Sequence, residues 1–402
     1  MGIIRGIIGL AFIAVLSLLL SSDRSKITSR IKQIAIMIAL QLVLTFVCLR
    51  TTFGITLLEN ISNFMSWLIG QAQAGVDFVF GGIKIEGGFV FFFNVLLPLV
   101  FMSALIGILD YIKVLPFFMK WIGIGINKLT GVGELESQFA IATTLLGQPA
   151  GYLTITEPIK KIDQQRMFTL VMSATSTTGA SMLAAYMELV KGEYVVVAVL
   201  LNIFSGFIIS SIINPYDPQE KEAQLVGVNE ELEDIEAEKT NFFDMLGTYI
   251  SNGFNLACAV AGVLVGFIAL IAFLNNSLEI LIGITFTDIM GYVFSPIAFA
   301  IGVPNEDIVN VGGIMATKLF TNELVAMNEL NNVISSLSAK SIAMISAYLI
   351  SFANFGSIGI VTGALKAIDE RQAKNISELS MKLIGGATLA SLLTATIVGF
   401  FF

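Results

Sequence analysis

Histidine is missing altogether from the 402 residues. Its absence excludes His-ligated metal centres, Ser-His-Asp and Cys-His catalysis, and a histidine proton relay. Cysteine is almost missing: Cys48 and Cys258 sit in separate apolar stretches, with no second cysteine near either. A disulfide framework or a Cys-x-x-Cys centre has no material to form from. Charge is equally scarce. Only 13% of residues are Asp, Glu, Lys or Arg, against about 25% in soluble domains, and no basic patch exists of the kind nucleic acid requires.

What is present is apolar: 55% of the chain is hydrophobic. A helix of about 20 apolar residues crosses a bilayer with its backbone hydrogen bonds satisfied internally, so such runs are the unit to look for. Residues 89–109, 194–213, 254–274 and 383–402 are uncharged runs of this kind, and 6–20, 34–49, 167–189 and 341–365 are weaker ones. The first could be a signal peptide, but it lacks a small-x-small cleavage site and is followed at once by "SSDRSKITSRIK". The expectation is an all-α integral membrane protein with eight spans. Lys and Arg gather at 24–32, 160–166, 221–239 and 366–382. The positive-inside tendency makes those stretches cytoplasmic and both termini external. Nine acids and two lysines fall within residues 215–240, which reads as a solvated acidic cytoplasmic loop dividing the chain.

Each half contains apolar pieces too short to span. In "QFAIATTLLGQPAGYLTITEP" the segment "GQPAG" interrupts the run with two glycines and a proline, residues that break helices. In "VNVGGIMATKLFTNELVAMNEL" the interruption is Thr321, Asn322 and Glu323. Residues 142–148 overlie 316–322 at a constant offset of 174. These stretches predict two re-entrant hairpins, at about 136–158 and 306–331. Each is followed by a span that is itself interrupted, by "SATSTTGAS" (173–181) and "SFANFGSIG" (351–359). Hairpins and broken helices in two inverted halves, 89–214 and 241–402, behind an N-terminal section 1–88 with two membrane helices and an interfacial segment, are the pattern of a secondary transporter. Its site lies where irregular backbone lines a cavity.

A carboxylate at that depth costs at least about 2.5 kcal/mol on insertion scales, which makes Glu323 the leading functional candidate. Asn354 and Ser357, three residues apart on one helix face, supply an amide and a hydroxyl. Together they suit a neutral, polyhydroxylated solute. The plainer alternatives are an ion pair of Glu323 with Lys318 at an interfacial hairpin end, and ordinary interhelical hydrogen bonding by Asn354 and Ser357. A membrane-embedded enzyme would need a second carboxylate, Glu157 or Asp163, yet both lie in a Lys-rich cytoplasmic stretch. A channel would need a continuous polar lining, whereas these polar residues converge on one point.

"TNELVA" followed by "SAYLISFANFGSIGI", and "LLGQ" before "SATSTTGASMLAAYM", resemble the signatures of the concentrative nucleoside transporters over nearly the whole chain. The resemblance implies a homotrimer in the bacterial cytoplasmic (inner) membrane. It implies an elevator mechanism, with a hairpin-bearing transport domain moving against a fixed scaffold, and symport of nucleosides with sodium or protons and no other cofactor. Carriage of nucleobases or modified nucleosides is the alternative within the same fold. By the same resemblance Glu323, Asn354 and Ser357 bind ribose, Gln148 reaches the base, and Phe352 and Met182 line the base side. The coupling cation falls to Thr143, Leu146, Thr177 and Thr178. Two departures stand out. Gly147-Gln148-Pro149-Ala150 replaces the usual Gly-Gln-Thr-Glu or Gly-Gln-Ser-Glu, losing a hydroxyl and an acid, and Thr143 stands where better-known members have asparagine.

Overall fold

The computed structural model describes residues 2–83, 90–217 and 241–402; the acidic stretch from 218 to 240 lies outside them. Among the described residues every regular element is helical. Five helical stretches are long and apolar enough to cross a membrane: Arg24–Arg50, Phe92–Tyr111, Gly192–Ile213, Phe242–Ile282 and Ser380–Gly399. The other three predicted spans differ. The first is the 18-residue helix α1, Gly2–Leu19. The remaining two are split, into α9 (Gln164–Ser176) and α10 (Ala180–Leu189), and into α16 (Ala339–Leu349) and α17 (Phe355–Lys366).

The centre is built on α11 (Gly192–Ile213) and α19 (Ser380–Gly399), which pack against each other and are buried around most of their circumference. A helix apolar on all sides belongs in such a position. Their few polar groups answer one another across the contact. Asn202 Oδ1 accepts from Thr394 Oγ1 at 2.6 Å, the Ser205 and Thr394 hydroxyls lie 2.8 Å apart, and Gln41 Nε2, from α2 (Ile27–Arg50), donates to Ser205 Oγ at 2.6 Å. A buried polar network of this kind fixes the register of packed helices because any slip would leave its members unpaired. The opposite case is α12, Phe242–Ile282, at 41 residues the longest helix. It is about twice the length a bilayer needs, and only Gly253, Ala257 and Leu264 along it are buried.

The helices outside the predicted apolar runs include two that precede the hairpins. α3, Thr52–Phe80, starts on Thr51, whose Oγ1 accepts from Gly54 N at 3.0 Å, and α13 spans Phe286–Ile301. Both are amphipathic, burying one stripe each, so neither reads as a continuous apolar segment.

The two halves repeat one device. α6 (Glu134–Leu146) and α14 (Ile308–Phe320) are each 13 residues long and 174 positions apart. α6 is followed after Gly147 by α7 (Gln148–Leu153), and α14 after Thr321 and Asn322 by α15 (Glu323–Val333). A Cβ placed on Gly151 would lie 3.1 Å from Thr143 Cα. In an unbroken helix these residues would be about 12 Å apart along the axis, so the chain reverses at Gly147. α14 and α15 likewise pack on each other.

Each helix pair is anchored at its base by a buried acid. Glu136 receives Arg166 Nε at 2.6 Å and Nη2 at 2.8 Å, with Tyr216 Oη at 2.9 Å. Asp307 Oδ2 receives the hydroxyls of Ser338 and Ser341, both at 2.6 Å. A bidentate Arg–carboxylate pair and a doubly bonded cap each set the first arm of a hairpin on the start of its broken helix.

Candidate functional site

The site forms where four helix interruptions meet. Asn322 and Asn354 are both N-caps: Asn322 Oδ1 accepts from Val325 N at 3.0 Å, and Asn354 Oδ1 from Ser357 N at 2.9 Å. Asparagine is favoured there because its short side chain satisfies amides that the first helical turn leaves free. The broken segments touch one another through a backbone bond, Phe352 N to Thr177 O at 3.1 Å.

Glu323 opens α15, so its carboxylate is carried at the positive end of a helix. It is buried. Its Oε1 accepts from Tyr186 Oη at 2.9 Å and its Oε2 from Asn354 Nδ2 at 3.1 Å. The hydrogen-bonded chain extends both ways. Thr178 Oγ1 donates to Tyr186 Oη at 3.1 Å, and Ser357 Oγ donates to Asn354 Oδ1 at 3.1 Å. Each carboxylate oxygen offers a second acceptor position, so Glu323 is held in place while retaining capacity for two further donors.

Lys318 does not pair with Glu323. It is fully buried, and its Nζ donates to the Tyr348 carbonyl, to Ser351 Oγ at 2.6 Å and to Ser391 Oγ at 3.3 Å. The ion-pair reading therefore fails on geometry: the lysine is drawn to the end of α16, and Glu323 is served by neutral donors. Glu157 is half-buried and bound to Lys160 at 2.6 Å, which holds its carboxyl below the usual range. Asp163 caps α9 through Arg166 N at 2.9 Å. Neither is a partner for Glu323, which removes the paired-carboxylate arrangement an embedded enzyme would need.

On the first hairpin Gln148 is buried and its Nε2 donates to Ala174 O at 2.9 Å, in the last turn of α9. Gly147, at φ +87°, and Gly179 bring hairpin and broken helix into backbone contact: a Cβ on Gly179 would stand 2.7 Å from Gly147 Cα. Only glycine permits so close an approach. Thr143 Oγ1 donates to Phe139 O and Ala140 O, each at 3.1 Å, and Thr177 Oγ1 to Ala174 O at 3.3 Å. Their hydroxyl oxygens keep lone pairs free. Leu146 ends α6 beside the turn; Met182 is buried on α10, and Phe352 is half-buried.

Of the predicted residues, Glu323, Asn354, Ser357 and Thr178 join one hydrogen-bonded chain, and Gln148 and Thr177 share the Ala174 carbonyl. Tyr186 is the residue sequence reasoning missed. Its position four residues after Met182, on the same face of α10, was the available signal, since a buried tyrosine hydroxyl has to find a partner.

The family model described as "Na+ dependent nucleoside transporter C-terminus" matches residues 194–399. The chain belongs to the concentrative nucleoside transporters. The N-terminal model of the same family matches 8–83, and one described as "Nucleoside recognition" matches 92–193. The chain is 32% identical to the purine nucleoside transport protein NupG of Bacillus subtilis, over 98% of each chain. It is 26% identical to the nucleoside permease NupC of Helicobacter pylori, over 98% of this chain and 97% of that one. Among solved structures, CNTnw in an inward-facing substrate-bound state superposes with a TM-score of 0.91 at 29% identity, covering 100% of this chain and 98% of the other. A concentrative nucleoside transporter is a carrier, not an enzyme.

Proposed function

We propose that this transporter carries nucleosides into the cell across the bacterial cytoplasmic membrane, driven by sodium or protons. The reading rests on one observation above the others: a buried carboxylate, Glu323, fixed by Tyr186 and Asn354 at a double helix break with acceptor capacity to spare. Vicinal ribose hydroxyls are donors of the right number and spacing for such a group. Gln148, Met182 and Phe352 are assigned to the base, and Thr143, Leu146, Thr177 and Thr178 to the coupling cation. Eight spans and two re-entrant hairpins in inverted repeats, assembled as a homotrimer and working as an elevator, complete the proposal. The exposed apolar length of α12 then lies against lipid and neighbouring scaffold.

Base recognition is expected to be loose. Ala150 brings no carboxylate to the hairpin, so no charge-assisted bond to a base N–H forms there. Gln148 can donate or accept, and the rest is apolar contact that grows with area. Purine nucleosides should therefore bind at least as well as uridine. The B. subtilis relative is named as a purine nucleoside transport protein, which supports the same direction.

The deciding experiment is competition of labelled uridine uptake in proteoliposomes by a panel of nucleosides and free bases, with and without sodium at fixed pH. Saturable uptake blocked by purine and pyrimidine nucleosides alike is expected. Free bases competing as well as nucleosides would make it a nucleobase carrier instead. Rejection of purine nucleosides by tenfold, about 1.4 kcal/mol, would overturn the base assignment.

A further inference from the structure

Lys318 is buried and unused by the mechanism above. Its partners are one carbonyl, two hydroxyls and the face of Tyr348, with Nζ 4.3 Å from the ring centroid. Among the described residues no carboxylate lies within ion-pairing distance of it. Neutral oxygens and an aromatic face, gathered at the carbonyl end of a helix, are what a desolvated monovalent cation seeks.

The repeat gives this arrangement a meaning. On the hairpins Lys318 corresponds to Thr144 at the offset of 174; on the broken helices Tyr348 and Ala174 each lie in the last turn before the break, and Ser351 and Thr177 each follow it. In the second half the carbonyl at the end of α16 and the hydroxyl just beyond it bind the ammonium. In the first half the corresponding carbonyl, of Ala174, takes Gln148 Nε2 and Thr177 Oγ1, while Thr144 turns its hydroxyl back to Ala140 O at 2.7 Å. Each half thus ends its broken helix in a carbonyl followed by a hydroxyl, and in the second half a tethered ammonium binds both.

We propose that Lys318 is the second repeat's built-in counterpart of the coupling cation. Its ammonium permanently fastens the second hairpin to its broken helix, five residues before Glu323 and three before Asn354 through Ser351. The first hairpin relies on an exchangeable ion for the same closure. Lys318 is a positioning residue for the nucleoside site, and one cation site remains to be filled from solution. The idea rests on the assignment of that site to Thr143, Leu146, Thr177 and Thr178.

Chemical rescue tests it. Nucleoside binding to purified Lys318→Ala is measured in choline, ammonium and ethylammonium chloride at constant sodium, beside Lys318→Met, which fills the space without charge. Binding should fall by at least about tenfold in both variants in choline, as expected when a buried charged partner is removed. Ammonium or ethylammonium should restore it in Lys318→Ala only. Native affinity in Lys318→Met, or a folded Lys318→Ala that no alkylammonium restores, overturns the proposal. If Lys318→Ala does not fold, Ser351→Ala/Ser391→Ala keeps the lysine but removes its hydroxyl partners; weaker nucleoside binding at an unchanged sodium requirement supports the proposal, and native affinity overturns it. A sodium titration of nucleoside binding to Thr143→Val keeps the two readings apart. If the substitution leaves the sodium response unchanged, the first-repeat site is wrong, whatever the lysine variants do.

Discussion

At the scale of the residue, the site depends on how many donors a single carboxylate can hold. Glu323 accepts from Tyr186 and from Asn354. Glu323→Gln keeps the shape but turns one oxygen into a donor facing donors, and it discards the charge. Nucleoside affinity should weaken by about 2–4 kcal/mol, since a buried polar mismatch costs its full desolvation, with the protein still folded; near-normal affinity in equilibrium binding would remove Glu323 from the ribose site. Tyr186 stands between the candidate cation residue Thr178 and Glu323. Tyr186→Phe breaks that link while leaving the ring in place. It should weaken nucleoside binding by about 1–3 kcal/mol and reduce the gain in nucleoside affinity on adding sodium. A variant whose sodium-dependent gain matches the native protein would show that the two sites communicate by another route.

At the scale of the element, an asparagine that caps a helix and also binds a carboxylate carries two separable duties. Asn354→Asp keeps the cap, because aspartate serves an N-terminus as well as asparagine does, but it places a second carboxylate against Glu323 Oε2, 3.1 Å from the present amide. The kept cap should leave the variant folded, with thermal stability lowered by the like-charge pair, while nucleoside affinity drops at least about tenfold because Glu323 loses its amide donor. Equal affinity would mean the Asn354–Glu323 contact is incidental. This division also explains what could be read in advance. The interruptions are spelled out in residues that end or start helices: Gly147 and Pro149, Asn322, Gly179, Asn354. The all-helical class follows from the apolar runs. Partner choice inside the breaks was not legible, because a buried tyrosine or lysine announces only that it needs a partner. Lys318, five positions before Glu323, looks like its ion-pair mate in one dimension, yet helix geometry directs it to Tyr348 and Ser391. Amphipathic helices α3 and α13 escaped for a related reason: a single buried stripe has no long apolar run to betray it.

At the scale of the whole molecule, the arrangement of charge determines what a membrane potential can act on. The two hairpin regions bury fixed charges of the protein's own: Arg166 with Glu136 in the first, and Lys318, Asp307 and Glu323 in the second. A carrier that completes its cycle returns these charges to where they began, so their net displacement over the cycle is zero. A nucleoside is neutral, so under the proposed symport the charge that crosses the membrane is that of the coupling ion. If the proposed single exchangeable cation site holds, each transported nucleoside carries one elementary charge, and a potential of 100 mV contributes about 2.3 kcal/mol to accumulation. Proteoliposomes with equal sodium and pH on both sides should accumulate uridine when the interior is held 100 mV negative, to a steady ratio of about 50, since each 1.4 kcal/mol is a factor of ten. A ratio near one would mean that charge is returned in every cycle. A ratio near 2,500, the square of the expected value, would mean that two cations cross with each nucleoside, in conflict with a second repeat whose cation is covalently its own lysine.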